Sequence, residues 1–138
     1  MFLKLFFIWI YGDIISFKWE DFCKVGFSLL ESYEEESYKR TAVGRFYYAC
    51  FGTARQYYEN IYHRKLPKEN SHQILIDFFS NSYYDKEEKI GFKLKKLRQF
   101  RNNSDYGKKF NKNNINRSIE LSKEVLSLID QLIKNNSN

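Results

Sequence analysis

The sequence predicts an all-α protein, an up-and-down bundle of four main helices plus one short helix. Long segments repeat apolar residues at spacings of three and four, the period of a helix with one buried face. The chain has 138 residues and a single proline, Pro67, so almost nothing interrupts a helix. No strand-type alternation competes, except over residues 2–11. The connections between periodic segments are short, which favours antiparallel neighbours. The length suits one domain, and a hydrophobic content of 43% supplies its core. With 13 Phe and 11 Tyr, rings carry much of the packing, and buried tyrosine hydroxyls need partners.

The chain divides into an apolar N-terminal extension, residues 1–16, and a helical domain, residues 17–138. The opening "MFLKLFFIWIYGDIISF" has one early charge, Lys4, and no small-residue cleavage site, so it does not read as a signal peptide. It is also too short to span a bilayer. We expect it to pack or self-associate, with Gly12-Asp13 as a break. A first helix begins near Trp19, with Ser16 or Lys18 at its start and Glu20 and Asp21 at its positive end. Phe22, Val25, Leu29 and Tyr33 form its stripe, with Gly26 alongside.

The charged "EEES" connects to the second helix, Tyr38 to His63, with Ser37 as a cap. Ala42, Phe46, Ala49, Cys50, Thr53, Tyr57 and Ile61 make its stripe, while Arg45, Tyr48 and Gly52 lie on an adjoining face. A loop around Pro67 precedes a short third helix capped by Ser71. In the fourth helix Ile90, Leu94, Leu97, Arg101 and Ser104 follow at spacings of four, three, four and three, and Gly107 is the stop. The last helix carries Ile115, Ile119, Ser122, Leu126, Ile129 and Ile133, widened by Leu121, Val125, Leu128 and Leu132. The tail "KNNSN" reads as frayed. Leu94, Leu97, Phe46, Ala49, Leu126 and Ile129 are expected in one core.

The chemistry is less determined. Lys and Arg number 23 against 17 Asp and Glu, a net charge of +6. That balance suits nucleic acid, an acidic partner or a membrane surface, although the lysines are scattered. Cys23 and Cys50 have no CxxC spacing and read as free thiols of a reducing, cytoplasmic compartment. With only His63 and His72 besides, no zinc set can be assembled, and neither metal nor cofactor is expected. No Ser-His-Asp order or glycine-rich phosphate loop appears. His72, at a helix start, reads as a capping or loop residue.

The stretch "LRQFRNNSDYG" stands out. Arg101 continues an apolar stripe, where a charge needs a partner or a wet cleft. Asp105, four residues on, meets it on the same helix face. Two readings stand side by side: a structural ion pair, or a polar cleft built with Asn102, Asn103, Ser104 and Tyr106. "RFYYACF" offers a similar choice for Arg45 and Tyr48, with core tyrosines and a solvent-reaching arginine as the default.

Taken in order, "FKWEDFCKVGFSLL", "YKRTAVGRFYYACFGTAR", "SHQILIDFF" and "LKKLRQFRNNSDYG" resemble the small UPF0332-like branch of the HEPN superfamily, over about residues 17 to 133. The resemblance implies a helical bundle that commonly forms a homodimer and often pairs with a minimal nucleotidyltransferase acting as antitoxin. Many such proteins are metal-independent ribonucleases of toxin–antitoxin or defence systems, with an arginine followed four to six residues later by a histidine. Arg101 matches that arginine, and no histidine follows it. Asp105 and Tyr106 stand where the general base would be sought, although a carboxylate and a phenol ordinarily titrate near about 4 and about 10, poorly matched to neutral pH.

The resemblance thus implies catalytic positions at Arg101, Asp105 and Tyr106. RNA- or nucleotide-binding positions fall at Arg101, Asn102, Asn103, Ser104, Arg45 and Tyr48. The first expectation is a module that binds RNA, nucleotide or a nucleotidyltransferase through this cleft. The alternative is an RNA endonuclease toxin with a variant site. The tyrosine-rich second helix and the apolar extension exceed what one small bundle covers, so a homodimer is expected. Sedimentation at tens of micromolar should show a species larger than the 16.8 kDa protomer, and a lone 16.8 kDa species would count against it.

Overall fold

A computed structural model describes residues 17–136. The extension assigned to residues 1–16 lies outside them. Five helices follow in order: α1 (Asp21–Ser32), α2 (Glu36–Tyr62), α3 (Ser71–Ser80), α4 (Asp85–Tyr106) and α5 (Asn113–Asn136). They form a helical bundle in which α3, at 10 residues, is the short member. Among the described residues there is no strand.

Side-chain pairs give the directions of the helices. Phe46 of α2 packs on Phe27 of α1, and Thr53 reaches back to Glu20, so α1 and α2 are antiparallel. Arg40 near the start of α2 binds the end of α4, while Tyr57 and Tyr62 near the end of α2 bind Glu87 at the start of α4. This pair is antiparallel as well. Lys93 meets Glu124 and Asn103 meets Asn114, so α5 runs back along α4. The four main helices therefore alternate in direction. The short α3 lies antiparallel to α4, with Gln73 against Arg98 and Ser80 against Gly91.

The long α2 is the hub, packed against α1, α4 and α5. Its main apolar face, from Val43 through Tyr47, Cys50 and Ala54 to Tyr58, joins Leu75, Phe79, Ile90, Leu94, Leu97, Val125 and Ile129 in the principal core. Phe46 and Ala49 are fully buried too, on the side of α2 that faces α1. The expected single core thus divides in two, and Leu126 sits half-buried at its margin. On α1 the packed position is Gly26, which lets the Phe46 ring lie against the backbone. Val25 and Tyr33, expected on the buried stripe, are exposed.

Helix boundaries differ from the expected ones in informative ways. Ser37 is not the cap of α2, because the helix already begins at Glu36. The Ser37 carbonyl instead accepts the Thr41 hydroxyl at 2.8 Å. Ser71 is the first residue of α3, and Asn70, in the left-handed region at φ 57°, precedes it. Asparagine tolerates that conformation through its short polar side chain. His63, at φ 53°, ends α2 in the same way. Gly107 does end α4, but with extended backbone at φ −74°. Its need for glycine is one of space, since a Cβ would stand 2.6 Å from the Asn103 carbonyl oxygen. The expected fraying is also absent at Lys134–Asn136, which stay helical.

Two interior glycines of long helices make a controlled comparison. A Cβ at Gly91 would overlap the Ser80 backbone, where α3 crosses α4, and neither backbone can step aside cheaply. A Cβ at Gly44 would stand 3.9 Å from Asp105 Oδ1, an ordinary van der Waals contact. Gly91→Ala should therefore cost about 1–3 kcal/mol of stability. Gly44→Ala should be neutral or add up to about 1 kcal/mol through helix propensity. Urea unfolding of both variants checks the contrast, and equal midpoints would contradict it.

Candidate functional site

Three helices bring arginines and aromatic rings together on one face of the bundle. From α2 come Arg45 and Tyr48, one turn apart, with Tyr47 and Phe51 beneath. From the first turn of α3 comes His72. From the last three turns of α4 come Arg98, Arg101 and Asp105, at spacings of three and four that align them on one side of the helix.

Tyr48 is the centre of the arrangement. The Arg45 guanidinium carbon lies 5.1 Å from its ring centroid and that of Arg101 lies 5.4 Å away. Arg45 also stands 5.0 Å from the Phe22 ring of α1. Such contacts hold a guanidinium by its face and leave its edge donors for other partners.

Arg101 and Asp105 form the ion pair the sequence suggested, with Nε to Oδ2 at 2.9 Å. The pair is partly sheltered, with side-chain exposures of 19% and 33%. Its geometry is poor for a hydrogen bond, because the Arg101 Nε–H has no aligned acceptor. The Nε–H groups of Arg45 and Arg98 are likewise buried and without an acceptor among the described residues. Arg98 donates from Nη1 to Gln73 at 2.8 Å. No ion pair among the described residues joins Arg45 or Arg98 to a carboxylate. Of the three guanidinium groups, only that of Arg101 is paired with a carboxylate among the described residues.

The remaining candidates separate into two groups. Asn102 accepts an Arg101 Nη1–H at 3.2 Å, and the Tyr106 ring lies 5.9 Å from the Arg101 guanidinium carbon, itself 77% exposed. Both stay beside the arginine patch. Asn103 instead donates to the Lys109 carbonyl and accepts from Asn114, so it organises the loop into α5. Ser104 is buried at 1% exposure and faces the bundle interior. The structure does not bring these two side chains to the arginines.

His72 belongs to the patch, although its position in the sequence suggested only a cap. Its ring stacks on Phe51 with centroids 3.9 Å apart, and Nδ1 lies 2.6 Å from the Tyr47 hydroxyl. Burial, and then the charges of Arg98, Arg101 and Arg55, depress its pKa from 6.5 to about 4. Burial pushes the Tyr47 phenol well above its ordinary range, so it keeps its proton. Tyr47 is fully buried, and among the described residues Nδ1 is the one hydrogen-bond partner of its hydroxyl. The hydroxyl proton is satisfied only if Tyr47 donates to Nδ1. The His72 proton then sits on Nε2, which makes the ring a neutral N–H donor among cations.

A second residue outside the sequence reading is Arg40. It donates to the carbonyls of Ser104 at 3.0 Å, Gly107 at 2.7 Å and Lys108 at 3.3 Å, and so closes the end of α4 that carries the site. Both thiols are free, Cys50 buried and Cys23 half-buried, and burial raises the pKa of each. Among the described residues no group of His, Cys, Asp or Glu could hold a metal ion. No described helix is long and apolar enough to cross a membrane.

Comparison with family models, curated proteins and solved structures found no match for this chain.

The state of His72 gives a measurable consequence. Its folded pKa lies below the ordinary value, so charging the ring favours unfolding. Its stabilising contribution is present above about pH 6.5 and is lost as pH falls towards about 4. The His72 ring resonances should therefore titrate near pH 4, and a midpoint above about 6 would contradict the description. The fall in melting temperature on going from neutral pH to about pH 5 should be smaller in His72→Gln, which keeps an acceptor for Tyr47.

Proposed function

We propose that the arginine patch binds the phosphate groups of RNA or a nucleotide, and that the chain is a cytoplasmic HEPN-type module of a toxin–antitoxin or defence system. The observation that carries this reading is the excess of guanidinium over carboxylate on this face: Arg45, Arg98 and Arg101 with a single ion pair, Arg101–Asp105, among the described residues. A phosphate offers the terminal guanidinium N–H groups acceptors and the missing negative charge in one group. Asp105 holds Arg101 in the empty site and is displaced when phosphate arrives. Tyr48 and Tyr106 supply ring faces on which an unpaired base can stack. The His72 Nε2–H adds a neutral donor. The net charge of +6 steers a polyanion towards the protein.

The order of motifs supports an up-and-down HEPN-like bundle that works as a homodimer beside a minimal nucleotidyltransferase. In that arrangement the second subunit completes the cleft. One observation favours a second reading, a metal-independent RNA endonuclease. His72 reaches the Arg101 neighbourhood from α3, although no histidine follows Arg101 on α4. Asp105 would accept the 2′-hydroxyl proton as the 2′-oxygen bonds to phosphorus, Arg101 and the His72 Nε2–H would stabilise the charged phosphorane, and the P–O5′ bond would break to leave a 2′,3′-cyclic phosphate, the 5′-oxygen taking its proton from water.

Arg101→Ala should weaken binding of single-stranded RNA about tenfold. It should also lower the salt dependence of binding by about one phosphate contact. Its circular dichroism should be unchanged. Full RNA affinity in this variant would end the reading. RNA cleavage by the native chain that is lost in Arg101→Ala and in His72→Gln would select the endonuclease.

A further inference from the structure

The geometry points to a second binding site, an electronegative tyrosine-walled hollow between α2, α4 and α5 that takes a small organic cation bearing N–H groups. It lies at the other end of the α2–α4 pair from the arginine patch and uses none of its residues.

Glu87 is the core of this site. It is a carboxylate in the first turn of α4 and only 1% exposed. The Tyr57 hydroxyl donates to Oε2 at 2.7 Å, Tyr62 to both oxygens at 2.9 and 2.8 Å, and Ser82 to Oε1 at 2.7 Å. Among the described residues no ion pair reaches it. A buried carboxylate is normally matched by a cation. Here neutral hydroxyls satisfy its hydrogen bonds and leave its charge in place.

The hydroxyls pass that charge outward. Burial, and then the hydrogen bond to Glu87, raise the pKa of both Tyr57 and Tyr62, so both keep their protons. Each proton is committed to Glu87. The outer side of the Tyr62 hydroxyl is then an acceptor, polarised by the carboxylate behind it, whereas the Asn136 side chain already donates to the Tyr57 hydroxyl.

An open hollow of about 360 Å³ adjoins these groups, lined by Tyr57, Ile61, Tyr62, Tyr84, Glu87 and Leu132 among others. That volume suits a small molecule. Its lining contains no Lys, Arg or His. Tyrosine faces attract a cation, the Tyr62 hydroxyl oxygen accepts an N–H bond, and the aliphatic side chains of Ile61 and Leu132 accommodate a short alkyl stem. Anions are repelled by Glu87. The class of ligand is therefore a free alkylammonium or alkylguanidinium.

Isothermal titration of the full chain with butylamine, butylguanidine, tetramethylammonium and butyrate tests this. Butylamine and butylguanidine should bind with one-to-one stoichiometry and a Kd of about 1 mM or tighter. Tetramethylammonium, which has no N–H, should bind more weakly, and butyrate should not bind. Glu87→Gln should lower butylamine affinity about tenfold, the loss of a charge-assisted contact. Tyr84 is 68% exposed, so Tyr84→Ala removes part of the wall without opening the core, and should also weaken binding. Arg101→Ala should leave it unchanged, which separates this site from the phosphate site. The proposal is overturned if neither N–H cation gives saturable binding, or if tetramethylammonium matches butylamine. It is equally overturned if Glu87→Gln retains full affinity. Should Glu87→Gln fail to fold, Tyr84→Ala decides, and unchanged affinity there overturns the proposal.

Discussion

The Arg40 guanidinium on the end of α4 is the contact on which the candidate site depends. A helix ends with carbonyls that lack intrahelical partners and with the negative pole of its dipole. The last turn of α4 has no basic residue of its own to meet that pole. Arg40, from the second turn of α2, supplies one from outside, donating to four carbonyls while its Nε–H donates to Glu36 at 3.2 Å. The Phe110 ring, 5.3 Å from the guanidinium carbon, packs the α4–α5 loop against the same group. One residue thus satisfies a helix end, orders the next loop and sets where α4 stops along α2. Because α4 stops there, Arg101 and Asp105 come level with Arg45 and Tyr48.

The matching contact at the other end is Glu87 with Tyr57 and Tyr62. Together the two clamps hold the antiparallel α2–α4 pair at both ends, one through a cation on carbonyls and one through a carboxylate on hydroxyls. Both are charge-assisted, the class of hydrogen bond with the larger net contribution, about 1.5–3 kcal/mol each. Between them the pair is apolar, built on Val43, Tyr47, Cys50, Ile90, Leu94 and Leu97. Sliding α4 by one turn would break both clamps at once and lift Leu94 and Leu97 out of register with α2. The polar ends specify a register that an apolar seam alone leaves degenerate.

These clamps also mark the limit of what could be read from the chain. Periodicity located every helix, because an apolar stripe is a local pattern, and it continued the α4 stripe through Arg101. It could not show Arg40 meeting residues 63 to 68 positions away, nor three hydroxyls converging on Glu87. Those pairings are set by tertiary packing and leave no spacing to detect. The same reason hid His72, whose role comes from Phe51, Tyr47 and Arg98 on other helices. The α1 stripe misled because its best-packed position is a glycine, which carries no apolar weight yet allows the closest approach of Phe46. Within "RNNSDYG" the chemistry of the residue types was plain, but their directions were not. Asn102 and Asp105 turn to the arginine, while Asn103 and Ser104 turn to the loop and the core.

Crowding three arginines onto one face raises the question of how the fold tolerates it. The guanidinium groups of Arg45 and Arg101 both lie against the Tyr48 ring, whose negative quadrupole offsets part of their charge. His72 is the one group nearby that could add a further positive charge, and the fold prevents this by burying it against Phe51 and occupying Nδ1 with the Tyr47 hydroxyl. Asp105 neutralises part of the remainder, in a contact too poorly aligned to consume the Arg101 Nε–H. The patch is therefore stable when empty and still electrostatically incomplete. A fully paired set of arginines would have been stable as well, but would have left nothing for an anion to gain by binding.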